Sequence, residues 1–211
     1  MTTIALFGGT GKTGRRVLER ALEAGYTVRA LVRDPAKLAV TSPRLTVITG
    51  DVTDPVSVGE ALDGADAVFS LFGHVKGSPP TLQTDGTRTI VEAMTSRGIR
   101  RIVTLSGGGL RAEGVDQPRL PDKVIRLLLK TLAGDVLTDA ENHLAVLRQS
   151  GLDWTVVRGP RLTEKPGAGS YRVGWVGVNA STQISRDDLA DFILTQVDDR
   201  RYVGKLPFVS H

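Results

Sequence analysis

The first seventeen residues constrain the fold more than any other part of the chain. Four apolar residues, Ile4 to Phe7, lead into a loop with glycine at positions 8, 11 and 14, and a helical pattern follows. Glycines let the backbone approach a pyrophosphate closely, and the N-terminus of a helix presents unpaired N–H groups to it. The order strand, loop and helix therefore predicts a nucleotide-binding unit with a phosphate at the start of the first helix.

Two kinds of nucleotide loop compete for this stretch. Gly11-Lys12-Thr13 resembles the end of an ATP- or GTP-binding loop, but that loop requires a glycine five residues before its second glycine, where this chain has Leu6. The variant with a lysine just before the glycine pair has Phe7 at that place. The spacing of the glycines fits instead a dinucleotide loop of the G-x-x-G-x-x-G kind. Lys12 is then interpreted as a solvated residue of the first helical turn.

Apolar strands alternate with helical patterns along the rest of the chain, which is typical of a parallel sheet covered on both faces. The sequence therefore predicts a doubly wound α/β sheet, the Rossmann fold, with a small C-terminal extension on the substrate side. Residues 1–211 are expected to form one domain, in which segments 107–135 and 159–184 lie on the substrate side. The predicted strands cover about 4–7, 27–32, 45–49, 67–72, 101–106, 154–157, a pair within 170–184, and 202–209. The predicted helices cover about 12–24, a short one after Asp34-Pro35, 55–62, 82–96, an apolar one over 123–132 that includes Leu129, 136–150, and one opened by Ser185.

The amino-acid composition argues against several classes of function. The chain has no cysteine and three scattered histidines, so disulfides and thiolate chemistry are excluded and no metal site is expected. No apolar run approaches the length of a membrane span and no secretory signal is visible, so a cytoplasmic protein without membrane partners is expected. The 27 Lys and Arg against 23 Asp and Glu give a net charge of +4. The basic residues are spread along the chain and form no cluster in the sequence. The positive excess is therefore expected to serve an anionic cofactor, and nucleic-acid binding is not expected.

The end of the second strand should decide which dinucleotide is preferred, because the adenosine ribose lies beside it. Arg33 is expected to pair with the 2′-phosphate of NADP, and Lys37 one turn later can join it. Asp34 has two possible roles, the N-cap before Pro35 or an acceptor for the ribose hydroxyls, and the first is favoured. These residues predict a preference for NADPH.

Further candidates follow the third and fourth strands, at the sheet edge where ligands bind in such folds. Asp51 can accept the adenine amino group with Val52 against the ring, or it can be a turn aspartate after Gly50. Gly73 is small enough to let the ribose or nicotinamide lie close to the chain. His74 is the histidine best placed to touch cofactor or substrate, although a lone loop histidine is more often a surface residue.

Ser106 ends the fifth strand at the same edge and can position a substrate by a hydrogen bond, but a serine is too weakly acidic to donate the proton alone. The only tyrosines are Tyr26, Tyr171 and Tyr202, and none has a lysine four residues later. The tyrosine–lysine acid pair of many reductases is therefore absent. That omission weighs more against a carbonyl reductase, which must protonate a developing alkoxide, than against a flavin reductase.

Taken together, the motifs resemble those of atypical short-chain dehydrogenases/reductases, specifically the NmrA-like proteins and the biliverdin reductase B or flavin reductase proteins. The motifs that carry this resemblance are Phe7–Gly14, Leu31–Asp34, Gly50–Val52, Gly73, Ser106, Ser150–Arg158 and Ile184–Leu189. The resemblance implies an NADP(H) site in which Thr10, Gly11, Lys12 and Thr13 line the pyrophosphate, Arg33 binds the 2′-phosphate, and Asp51 and Val52 hold the adenine. It also implies that Leu71, Phe72 and Gly73 flank the inner ribose, with Ser106 near the nicotinamide. Gly8, in the same glycine loop, is also expected to bind the cofactor. The loop 159–162 is also implied there, but its Pro160 stands two residues after Arg158, whereas the family usually has proline directly after the strand.

These features predict an NADPH-dependent reductase that passes hydride to a flavin, such as FMN or FAD as substrate, or to another flat conjugated acceptor. Ser106 would position the acceptor, and Leu105 and the helix 123–132 would cover it. The alternative is a non-catalytic, NmrA-like sensor that distinguishes NADP from NADPH and acts through a protein partner.

Overall fold

The computed structural model describes residues 2–211, apart from the side chains of Leu129 and Leu132. Apolar segments form the strands and amphipathic segments form the helices that cover them. The strands are β1 Thr3–Phe7, β2 Thr27–Val32, β3 Leu45–Thr49, β4 Ala67–Ser70, β5 Arg101–Gly107, β6 Asp153–Gly159, β7 Arg161–Thr163, β8 Arg172–Gly174, β9 Gln183–Ser185 and β10 Phe208–Ser210. The helices are α1 Lys12–Glu23, α2 Pro55–Ala61, α3 Leu82–Arg97, α4 Leu120–Leu132, α5 Gly134–Gln149 and α6 Arg186–Thr195.

Eight strands form one sheet in the order β3-β2-β1-β4-β5-β6-β10-β8, and only the edge pair β10–β8 is antiparallel. The prediction of a doubly wound α/β fold is confirmed. The order reverses between β1 and β4, so a crevice opens at the carboxyl ends of these strands. One face of the sheet buries Phe7, Val68 and Ile102 under α2, α3 and α5. The other face buries Leu6 and Val103 under α1 and α6.

Local signals in the sequence account for most helix boundaries. The Asp54 carboxylate caps α2 by accepting from the backbone N–H groups of Val56 and Ser57, at 3.2 and 3.0 Å. Helix α3 ends at Gly98, whose φ of +70° is the left-handed conformation that glycine adopts readily. The expected helix after Asp34-Pro35 is wrong, because only a 3-10 turn forms over Pro35–Lys37. The β-branched residues and the proline that follow, at 40, 41 and 43, disfavour its continuation.

The C-terminal third departs from the expected strand pairing. Strands β8 and β9 lie in the region predicted to hold a strand pair, but they do not pair with each other. Strand β8 joins the edge of the main sheet beside β10, whereas β9 pairs in parallel with β7 in a separate two-stranded sheet. The predicted final strand over 202–209 is also too long, because a turn at Gly204, with φ of +70°, delays the strand until Phe208.

A buried ion pair ties together the segments expected on the substrate side. Arg158 of β6 is fully buried, and its Nη1 and Nη2 lie 2.8 and 2.9 Å from the two carboxylate oxygens of Asp116. Asp116 also accepts from the backbone N–H groups of Ala112 and Val176, at 2.8 and 3.0 Å. Burial by itself would raise the pKa of Asp116, but the hydrogen bonds from Arg158 and the backbone outweigh it and keep the pKa below its ordinary value. The loop after β5 and the turn after β8 are thereby fixed to the sheet.

Candidate functional site

The glycine loop has the close contacts that a nucleotide site needs. A Cβ added to Gly14 would lie 2.1 Å from the carbonyl oxygen of Gly8, and one added to Gly8, where φ is +88°, would lie 2.5 Å from the backbone nitrogen of Phe72. Gly11 begins α1 in an extended conformation, without a capping side chain and without an acidic residue in the first turn. The N–H groups of this helix end are therefore available to an anion. This cradle fits the pyrophosphate of a dinucleotide.

A nucleotide cavity of about 160 Å³ opens above the carboxyl ends of β1 to β4. It brings together nine of the residues predicted to bind the cofactor: Gly8, Thr10, Gly11, Arg33, Asp51, Val52, Leu71, Phe72 and Gly73. Lys12 and Thr13 do not line it. The Lys12 Nζ lies 3.1 Å from a carboxylate oxygen of Glu164 and its side chain is 71% exposed, which agrees with a solvated first-turn residue. Their role at the pyrophosphate stays a prediction.

Arg33 stands free at the mouth of the nucleotide cavity. It is exposed, and it makes no ion pair with any residue of the described range. Asp34 takes the N-cap role, since its Oδ1 accepts from the backbone N–H of Ala36 at 3.1 Å. The Lys37 Nζ lies 3.4 Å from the Oδ2 of Asp34, so Lys37 pairs with Asp34 instead of joining Arg33. Arg33 is thus the available cation beside the expected ribose.

Asp51 takes the turn role, and its contact with the adenine stays a prediction. Its Oδ1 accepts from the backbone N–H and the hydroxyl of Thr53, at 2.9 and 2.7 Å, which is the turn role. These hydrogen bonds, the hydroxyl contribution first, together with the nearby charge of Arg33, hold the pKa of Asp51 below its ordinary value. The carboxylate is therefore ionised at neutral pH, and Oδ2 is left to accept a hydrogen bond in the cavity.

A second cavity, the β5–α5 cavity, has a volume of about 340 Å³ and adjoins the first. Leu71, Phe72 and Gly73 line both, so a ligand can pass from one to the other over this short segment. Ser106, only 9% exposed, and His74 lie among mostly apolar walls. The remaining lining residues are Gln83, Leu105, Gly107, Gly109, Leu110, Ala133, Val136, Leu137, Ala140, Gly159, Pro160 and Leu162.

The apolar wall over Ser106 comes from α5 rather than from α4. Leu105 lines the cavity as expected, but the cover assigned to the helix 123–132 is wrong for the side chains described, because none of them lines this cavity. Leu129, part of the predicted apolar run, lies outside the described side chains, as does Leu132. Five apolar residues among the described side chains of α4 are more than half exposed: Leu120, Val124, Ile125, Leu127 and Leu128. In the described range no helix combines the length and apolar character needed to cross a bilayer.

His74 is held by a buried carboxylate that the sequence did not point to. The Nε2 of His74 lies 2.7 Å from the Oδ2 of Asp139, a residue of α5 that is 2% exposed. Asp139 also accepts from the backbone N–H groups of Gln83 and Thr84, at 2.7 and 3.0 Å, at the start of α3. Burial alone would raise the pKa of Asp139, but the hydrogen bonds from Thr84, Gln83 and His74 leave it lowered. Because an ionised carboxylate only accepts, Nε2 carries a proton and Nδ1 is the nitrogen left for other partners.

His143 is a structural residue. It is 2% exposed, and its Nδ1 and Nε2 lie 2.7 and 3.2 Å from the hydroxyls of Thr87 and Thr104. Burial lowers the pKa of His143 to about 4, so the ring is neutral at pH 7 and bridges α3, α5 and β5.

Comparison with known proteins decides the family. A family model described as NAD(P)H-binding matches residues 8–200. The chain belongs to this NAD(P)H-binding family. A relative in Arabidopsis thaliana, an uncharacterized chloroplastic protein, is 28% identical over 193 residues, which cover 87% of this chain and 68% of the relative. A (4-alkanoyl-5-oxo-2,5-dihydrofuran-3-yl)methyl phosphate reductase from Streptomyces griseus is 33% identical over 155 residues, which cover 74% of this chain but 46% of that relative.

Solved structures of other proteins share the fold of this chain. A short-chain dehydrogenase/reductase from Veillonella parvula in complex with NADP superposes with a TM-score of 0.82 at 20% identity, covering 100% of this chain and 94% of that one. ChuY of Escherichia coli O157:H7, described as an anaerobilin reductase, superposes with a TM-score of 0.78 at 20% identity, covering 99% and 97%. The predicted dinucleotide-binding family is confirmed by the NAD(P)H-binding model, and the resemblance to short-chain dehydrogenases/reductases is confirmed in the fold.

Proposed function

We propose that this protein is an NADPH-dependent reductase that transfers hydride to a flavin or another flat conjugated acceptor. The observation that carries the proposal is the junction of the two cavities at Leu71–Gly73. A dinucleotide with its pyrophosphate on the glycine loop and its adenosine between Arg33 and Asp51 has its other end directed over this segment toward Ser106. The β5–α5 cavity then receives the acceptor against the nicotinamide.

The residues of this chain position the acceptor and exclude water from the β5–α5 cavity. Leu71, Leu105 and Leu137 present apolar walls that a flat ring can cover, which strengthens polar interactions inside the cavity. The Ser106 hydroxyl has no hydrogen-bond partner in the described part of the chain, so it is available to orient the acceptor. NADPH supplies the hydride when bound, and a proton completes the two-electron reduction of the acceptor. His74 is placed to deliver that proton through Nδ1, with Asp139 holding the ring in position through Nε2.

The missing tyrosine acid favours an acceptor that is protonated easily. On the side formed by α5, the β5–α5 cavity is lined by Val136 and Ala140, which are apolar and carry no proton to donate. A flavin accepts hydride at a ring nitrogen and can take its proton from solvent, so alignment of the two rings supplies most of the catalysis. The names of the Streptomyces relative, a reductase of a phosphate-bearing oxo-dihydrofuran, and of ChuY, an anaerobilin reductase, support reduction of a ring system in this chain.

Arg33 gives the nucleotide preference a direct test. Replacing Arg33 with leucine is expected to weaken NADPH binding by about tenfold or more and to leave NADH binding unchanged, because a charge-assisted hydrogen bond to the 2′-phosphate is lost. The control is Arg88→Leu, which removes the same charge from an exposed residue of α3 that pairs with Asp85. Calorimetric titration of both cofactors measures the effect. Equal loss of affinity for NADPH and NADH would contradict the assignment.

The reductase proposal is tested by mixing the purified protein with NADPH and either FMN or biliverdin. We expect NADPH absorbance to fall only when an acceptor is present and, with oxygen excluded so that reduced flavin is not reoxidised, one acceptor to be reduced for each NADPH oxidised. Tight binding of NADPH without oxidation by any acceptor of a broad panel would instead support the sensor alternative, in which a protein partner reads the bound cofactor.

A further inference from the structure

A third cavity adjoins the proposed acceptor site and is lined by arginines. This arginine cavity, about 430 Å³, lies between the loop after β5, the helix α4 and the turn after β6. It meets the β5–α5 cavity at Gly107, Gly109, Gly159 and Pro160, which line both. Three glycines at this junction leave no long side chain between the cavities. A ligand in one can therefore extend a substituent into the other.

The charges in the arginine cavity are mostly positive. Arg111, Arg126 and Arg161 line it, and Asp122 is the single acid in its lining of described residues. The Oδ2 of Asp122 accepts from the backbone N–H of Arg119 at 2.8 Å, at the start of α4. Three arginines against one aspartate give the lining residues themselves an excess of two positive charges.

Arg111 is the least satisfied of the three. It has no ion-pair partner within residues 2–211, and its Nη1 is buried without a hydrogen-bond partner there. A buried donor without an acceptor is destabilising, and such groups in native proteins call for an explanation. Burial, and then the neighbouring charge of Arg126, lower the pKa of Arg111. An anion beside Arg111 would supply the missing acceptor and offset both effects.

The other two arginines are held in place. Nη1 of Arg126 donates to the carbonyl oxygen of Gly109 at 3.2 Å, and its Nη2 lies 2.8 Å from Glu141. Nη2 of Arg161 donates to the Oε1 of Gln183 at 3.2 Å. These contacts position the two guanidinium groups at the cavity while each retains further donors, since a guanidinium has five N–H groups.

From these contacts we propose that the arginine cavity binds an anionic group, a phosphate or a carboxylate, on the acceptor whose flat ring occupies the β5–α5 cavity. The proposal rests on the proposed function for the ring's location. Guanidinium groups bind both anions through paired hydrogen bonds. The predicted substrate class is therefore a conjugated ring system with an anionic side chain.

Matched ligand pairs test the anion site by binding, independently of turnover. FMN and riboflavin share one ring and differ by the phosphate, and biliverdin and its dimethyl ester differ by the carboxylates. With NADP present, fluorescence or absorbance titration is expected to give about tenfold or tighter binding of the anionic member of at least one pair. The pair that discriminates identifies the anion as phosphate or carboxylate.

Variants separate the anion site from general damage. Arg111→Met is expected to remove the preference for the anionic member while leaving the neutral member's affinity unchanged, and the exposed Arg161→Met to reduce the preference if Arg111→Met does not fold. Arg119→Met is the control, because Arg119 is exposed and does not line the cavity. Equal affinity within both pairs in the unaltered protein, or equal loss for both members in Arg111→Met, would overturn the proposal. If the anionic member of a pair binds more tightly but NADPH is not oxidised, the anion site is supported and the reductase function is contradicted.

Discussion

Replacing Asp116 with alanine is expected to lower the free energy of unfolding by about 3–5 kcal/mol, because a buried charge would lose its partner. The guanidinium of Arg158 would remain fully buried, with both of its carboxylate contacts removed. The backbone N–H groups of Ala112 and Val176 would also lose their acceptor. Urea unfolding measures the change. The loop after β5 and the turn after β8 should become accessible to proteolysis first, since Asp116 connects them.

Two further variants serve as controls for Asp116→Ala. Asp153→Ala breaks the pairs with Arg100 and Arg200 near the surface, and a change of about 1 kcal/mol or less is expected there. The double variant Arg158→Met, Asp116→Leu should recover much of the lost stability, because no unpaired charge stays buried. An Asp116→Ala variant as stable as Asp153→Ala would show that the pair does not hold the substrate-side segments.

Acid should weaken the same interaction. The pKa of Asp116 is lower in the folded protein than in the unfolded chain, so its contribution is complete above the ordinary carboxyl pKa of about 3.9. The contribution is lost as the pH falls through the folded-state value. The free energy of unfolding of Asp116→Ala should therefore depend less steeply on pH in the acid range than that of the unaltered protein.

Replacing His74 with glutamine is expected to lower kcat with biliverdin by about a hundredfold, because the proton donor at the acceptor would be lost. Glutamine can still donate to Asp139, so the start of α3 and the NADPH affinity should be unchanged. With FMN, which can take its proton from solvent, the decrease should be smaller. Steady-state rates in H₂O and D₂O measure the effect, and the solvent isotope effect on the biliverdin reaction should change.

His211→Gln is the matched control for His74. The Nε2 of His211 also lies 2.7 Å from a buried carboxylate, that of Asp188, but His211 lines neither the nucleotide cavity nor the β5–α5 cavity. Its replacement should leave kcat with every acceptor unchanged. Equal kcat values for His74→Gln and the unaltered protein with biliverdin would contradict proton delivery by His74.

The parts of the fold predicted from sequence are those set by local signals. The apolar strands, the Asp54 cap and the glycine after α3 each depend on neighbouring residues, and they occur where the pattern indicates. Arg33 and Asp51 could be placed because the carboxyl ends of successive parallel strands meet at one edge. Residues from four strands therefore converge in the nucleotide cavity, as the spacing suggested.

The features that sequence reasoning missed all depend on distant contacts. His74 and Asp139 are 65 residues apart, and Asp116 and Arg158 are 42 apart, so no local period connects them. From sequence alone, an Asp on a helix face or an Arg in a strand shows no pairing partner, because the partner becomes a neighbour only in the folded chain. For the side chains described, the cover over Ser106 was assigned to the wrong helix for the same reason, since both α4 and α5 carry apolar residues and no local pattern decides which of them lines the cavity.

A single-turnover experiment with NADPH deuterated at the transferred position of the nicotinamide tests whether hydride passes directly from the cofactor to the acceptor. The loaded protein is mixed rapidly with FMN or biliverdin, and oxidation of the cofactor and reduction of the acceptor are followed together. Direct transfer between adjoining cavities predicts that both signals change at one rate, that deuterium slows both equally, and that the biliverdin product carries the deuterium. Oxidation of the cofactor without deuterium in that product, or no oxidation with either acceptor, would contradict the account.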